Sequence, residues 1–144
     1  IPDVEHEAEY YQGLIKTGIA PKPVYFLLGT LSISHNQTAT AEANLKRSIE
    51  ISPEFGPAYI NLGALYNSQN KPREAITILE QARLRHIETS NLLYNLAVAY
   101  HKTDKLNEAL EIANKLHTQL PNDESITQLY ELFIRESTAS ADKK

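Results

Sequence analysis

Residues 59–82 read YINLGALYNSQNKPREAITILEQA, and the spacing within that stretch decides the architecture. Tyr59, Leu62, Gly63 and Tyr66 recur at three- and four-residue intervals, as do Ala75, Ile76, Leu79 and Ala82, so each set forms one face of an α-helix. Between the two sets stand Asn70, a residue type that tolerates the left-handed backbone conformation, and Pro72, whose missing N–H is not needed in the first turn of a helix. The stretch predicts two antiparallel helices joined by a tight turn.

The same pattern returns 34 residues away on both sides. Leu27-Leu28-Gly29, Asn61-Leu62-Gly63 and Asn95-Leu96-Ala97 lie in phase, and so do Ala41, Ala75 and Ala109. Tyr66 and Tyr100 follow their blocks in step, Asn36, Asn70 and Asp104 share the turn position, and Pro53 and Pro121 stand two periods apart. Helix pairs are expected at about 22 to 35 and 38 to 51, 56 to 69 and 72 to 86, and 90 to 103 and 106 to 119. Gly29, Gly63 and Ala97 sit where a larger side chain would hold the second helix away, with Ala41, Ala75 and Ala109 expected opposite them.

These residues resemble the tetratricopeptide repeat family, a 34-residue helix pair marked by an aromatic, Leu-Gly, Tyr, Ala, a large apolar residue, Ala and a closing Pro. The middle copy matches best, with Tyr59, Leu62, Gly63, Tyr66, Ala75, Leu79 and Ala82, and departs only at Ile87. The first has Tyr25, Leu28, Gly29, Ala41, Leu45 and Pro53, with Ser32 and Ser48 as departures. The third has Leu93, Leu96, Ala97, Tyr100, Ala109 and Pro121, while Ala113 and Leu116 exchange large and small. The resemblance implies an all-α fold, a right-handed α-solenoid of antiparallel helix pairs, with repeats at 22–55, 56–89 and 90–123.

Two end segments flank the repeats. Within residues 1–21, Val4, Ala8, Tyr11, Leu14 and Ile15 predict an amphipathic helix that Gly18 ends. Shifted by 34, Tyr11 falls under Leu45 but Glu7 falls under Ala41, so this helix is either half of an upstream repeat or a cap. At the other end, Ile126, Leu129, Tyr130, Phe133 and Ile134 predict a capping helix over 124–137, started by Asn122 or Asp123. The polar residues 138–144 are expected to be disordered.

In the family that the chain resembles, first helices line a concave face and bind extended peptides or partner helices. Carried over by register, the peptide-binding candidates are Phe26, Leu27, Thr30 and Ile33, then Ile60, Asn61, Ala64 and Asn67, then Tyr94, Asn95, Val98 and His101. Phe26, Ile60 and Tyr94 make an apolar row, and Asn61 and Asn95 an amide row able to bond a peptide backbone as donor and acceptor. Apolar burial dominates affinity in such a groove, so the expected partner is an apolar or amphipathic protein segment. The alternatives are amides that only bond a neighbouring helix and an apolar row covered by a terminal helix.

Relatives that clamp a chaperone's C-terminal carboxylate carry Lys and Asn on the first helix of the first repeat. Phe26 and Thr30 stand there, so carboxylate capture is not expected. The implied role is an adaptor, assembly factor or chaperone, and small three-repeat proteins flanked by helices resemble bacterial secretion or envelope-assembly chaperones. The alternative is a structural one, self-association into a homo-oligomer through the same surfaces or the N-terminal helix.

Composition sets the outer limits. Hydrophobic residues make up 42% of the 144, and charged residues 22%, as in soluble globular proteins. The net charge of -4 argues against nucleic acid or an anionic membrane as partner. Without cysteine there is no disulfide, thiolate metal site or Cys nucleophile. His6, His35, His86, His101 and His117 are scattered, with no metal-ligand spacing, and no phosphate loop or nucleophile elbow occurs. No catalytic residues, metal or cofactor are therefore assigned. No apolar run is long enough for direct membrane insertion, and the start at Ile1-Pro2-Asp3 reads as a processed or excised chain, which leaves cytoplasm and periplasm both open.

Overall fold

A computed structural model describes residues 4–18 and 21–143, apart from the side chain of Val4. Expectations that fall on residues 1–3, 19–20 and 144 lie outside it. Eight helices follow one another, and no strand occurs among the described residues: α1 Val4–Lys16, α2 Val24–Ser34, α3 Thr38–Ile51, α4 Gly56–Ser68, α5 Pro72–Leu84, α6 Ser90–Lys102, α7 Leu106–Gln119 and α8 Glu124–Asp142. The fold is all-α, a right-handed solenoid in which α2/α3, α4/α5 and α6/α7 are antiparallel hairpins.

Each hairpin closes on the same turn. Asn36, Asn70 and Asp104 take positive φ of 57°, 57° and 59°, the left-handed region where Asn and Asp are the least strained non-glycine residues. The next N–H then reaches back to a first-helix carbonyl: Gln37 to Ser32 at 2.8 Å, Lys71 to Tyr66 at 2.8 Å and Lys105 to Tyr100 at 3.0 Å. These bonds satisfy carbonyls that a helix end otherwise leaves open. His86, after α5, also adopts a positive φ of 62°.

Leu62, Leu79, Leu93, Leu96 and Leu116 are buried and run through one continuous core that α8 joins through Ile126 and Phe133. The small-residue contacts are as close as the spacing implies, but their partners differ. A Cβ on Gly29 would lie 2.8 Å from Leu45 Cγ, and one on Gly63 2.6 Å from Leu79 Cγ. The nearest neighbours are thus the leucines one turn beyond Ala41 and Ala75, because the large side chain lies across the gap while the alanine lets the backbones close.

Two helix starts are capped by side chains. Thr89 Oγ1 accepts from Leu92 N at 3.3 Å, and Asp123 Oδ1 accepts from Ile126 N at 3.0 Å. α8 corrects one expectation: it continues to Asp142, where residues 138 onward were expected to be a disordered tail. No Gly or Pro interrupts Ser137-Thr138-Ala139-Ser140, and Thr138 Oγ1 bonds Ile134 O at 2.9 Å inside the helix.

Candidate functional site

First helices pack on first helices, α2 on α4 and α4 on α6, whereas no comparable contact joins α3 to α5 or α5 to α7. A stack drawn together on one side bends toward it, so α2, α4 and α6 line the inside of the curve. The candidates named from the sequence stand on these three helices.

Phe26, Ile60 and Tyr94 are half-buried, resting on the core while keeping part of each side chain in solvent. Phe26 sets its edge against Phe55, ring centroids 5.0 Å apart at 88°. Tyr94 borders an opening of about 340 Å³ between α6 and α8, lined also by Asn91, Leu120 and Ile126. Leu27 and Thr30 are exposed, Thr30 bonding Phe26 O at 2.9 Å, and Ile33, Ala64 and Val98 are half-buried.

The polar candidates divide. Asn61 is half-buried, and its side chain makes no hydrogen bond to another described residue. Asn95 donates from Nδ2 to Asn91 O at 3.1 Å, within its own helix. Asn67 is buried and spends Nδ2 on Asn95 O at 3.0 Å, tying α4 to α6, while its Oδ1 has no donor among the described residues. His101 stacks on Phe133 at 4.8 Å and places Nε2 2.6 Å from Glu136 Oε2, so α8 holds it. Asn67 and His101 are equivalent by register, and each braces its helix against the next layer.

One residue in register with the candidates is missed from the sequence. α8 begins 34 residues after α6, as α6 begins 34 after α4, so Leu132 continues the row of Thr30, Ala64 and Val98. It is 37% exposed. The offset itself was the available signal.

Among the described residues, no group of three or more His, Asp or Glu is placed to hold a metal, and no helix is long and apolar enough to cross a membrane.

Family models described as tetratricopeptide repeat match residues 32–86 and 90–116. The chain is a tetratricopeptide repeat protein. No curated protein sequence matches it. Among solved structures it is similar to a MamA RS-1 double mutant, with a TM-score of 0.84 and 14% identity over 94% of this chain and 77% of that one. It is similar also to YrrB, described as having an unusual peptide-binding site, with a TM-score of 0.78 and 21% identity over 90% and 67% of the two chains. A third is the first such domain of Spaghetti (RPAP3), solved with the HSP90 peptide SRMEEVD, with a TM-score of 0.76 and 14% identity over 81% and 93%. At these identities the likeness concerns the fold, and the repeat helices of this chain share it.

Proposed function

We propose that this tetratricopeptide repeat protein binds an apolar or amphipathic segment of another protein along the inner face of α2, α4, α6 and α8, and performs no chemistry of its own. The observation that carries the reading is the half-buried row of Phe26, Ile60 and Tyr94, one large apolar side chain per repeat, beside the 340 Å³ opening at Tyr94. Spaced side chains of this kind suit alternate residues of an extended chain or successive turns of a helix. Completing the burial of all three adds roughly 2–4 kcal/mol, so the apolar row taken together outweighs a hydrogen bond beside it.

The polar groups support orientation. Asn61 offers a donor and an acceptor and Asn95 retains its acceptor, whereas Asn67 is committed to Asn95 O and its buried Oδ1 lies out of a guest's reach. SRMEEVD, the peptide held by the Spaghetti domain, is acidic. Here Phe26 and Thr30 replace cationic and amide groups, and the net charge is -4, which favours an apolar guest over an acidic one.

Selection of random displayed peptides against the full chain tests this. Selected sequences should be rich in Leu, Ile, Phe and Tyr, and Ile60→Asp or Tyr94→Asp should weaken them at least tenfold while leaving the helical circular dichroism unchanged. Peptides that bind both variants as well as the unmodified chain would refute the groove. Asn61→Ala with Asn95→Ala, at unchanged affinity, would remove the amide row alone. Light scattering addresses self-association, since a homo-oligomer that occludes α4 and α6 would favour the structural alternative.

A further inference from the structure

α8 is phased as the first helix of a fourth layer. Lys102 Nζ donates to Asn67 O at 3.0 Å, and Glu136, 34 positions after Lys102, meets His101, 34 positions after Asn67. Every earlier first helix is covered by the second helix that follows it: Leu45 crosses Gly29, and Leu79 crosses Gly63. The equivalent position on α8 is Glu131, which is exposed, and among the described residues no helix covers that side. A trough of about 350 Å³ remains between α7 and α8, floored by Leu110, Tyr130 and Ile134 and edged by Asn107, Glu111 and Asn114. Ile134 is 39% exposed, although Tyr66 at the same register position is buried.

We propose that this face of α7 and α8 docks an amphipathic α-helix of a partner protein whose apolar face is flanked by Lys or Arg. A helix is the occupant because helices occupy the equivalent sites inside the molecule, α5 over α4 and α7 over α6. The cationic edge follows from charge: Glu131 replaces the small residue at the point of closest approach, Glu111 stands on the rim, and no cation lines the trough. A leucine crossing Glu131 would meet a carboxylate, whereas a lysine would neutralise it. A second copy's α1 is the wrong sign, with Glu5, Glu7 and Glu9 on one short helix. This site is separate from the concave groove.

The probe is a peptide with the α5 sequence Pro72–Leu84, held helical by a lactam bridge and carrying Leu79→Lys, compared with a Leu79→Glu counterpart. The lysine peptide should bind the full chain at least tenfold tighter by fluorescence anisotropy. Glu131→Lys in the protein should reverse that preference, and Ile134→Asp should weaken both peptides at least tenfold. NMR shifts should centre on Leu110, Tyr130 and Ile134 and spare Ile60. No binding at millimolar peptide, shifts confined to the concave face, or an unreversed preference would overturn the proposal. So would a concentration-dependent oligomer abolished by Ile134→Asp, which would make a second copy the occupant.

Discussion

Tyr100 on α6 donates its phenolic hydrogen to the Glu80 carboxylate on α5 at 2.7 Å, across the joint between the second and third repeats. Glu80 also accepts from Arg83 at 3.1 Å within α5, so the carboxylate that reaches α6 is held in place by its own helix. Tyr100→Phe keeps the ring and deletes the bond. It should destabilise the chain by about 1.5–3 kcal/mol in urea unfolding, the range for a hydrogen bond to a charged acceptor.

The same phenol predicts an alkaline limit. Burial first, then the bond to Glu80, pushes the Tyr100 hydroxyl from 10.0 up to about 12. A raised folded value means that the unfolded chain loses the proton first. The stability tied to it is complete below pH 10 and disappears as pH rises from 10 to 12. Thermal melts from pH 8 to 12 should show the advantage of the unmodified chain over Tyr100→Phe narrowing across that window. Tyr59 and Tyr66 shift upward mainly through burial, so some alkaline loss persists in the variant.

Gly63→Ala should destabilise by about 1–3 kcal/mol, because the added Cβ would sit 2.6 Å from Leu79 Cγ and Leu79 is fully buried. Combined with Leu79→Ala, the loss should be smaller than the sum of the separate losses, since each change makes room for the other. A double-mutant cycle from denaturant midpoints measures the difference. Ala97 with Ala113, at the same two register positions, already uses the smaller pairing.

At the second turn, Asn70 holds φ at 57°. Asn70→Gly should leave the melting temperature unchanged or slightly higher, and Asn70→Val should cost about 1–2 kcal/mol by forcing a β-branched residue into the left-handed region. If both melt alike, this turn does not set the angle of the hairpin.

What could be read in advance followed from contacts made once per period. Gly63 with Ala75, and Asn70 at the turn, recur at fixed spacing, so the hairpins and their phase are legible, although the side chain that lies nearest Gly63 is Leu79 and not Ala75. α8 hid its phase because the diagnostic small residue is needed only where a second helix presses close, and Glu131 meets none. The engagement of Asn67 with Asn95 O also left no local trace, since the acceptor is a backbone carbonyl 28 residues away that any side chain could carry. Phe26, Ile60 and Tyr94 fall in one row by register alone, yet how deeply each rests on the core depends on neighbours such as Phe55.

Each extensive contact in the molecule joins a helix to its chain neighbour or to the helix one layer away. Small rotations at successive joints therefore add up without breaking any single contact. Under the proposed function, such a frame would act as a leaf spring, spreading the misfit of a guest over several joints instead of displacing one side chain.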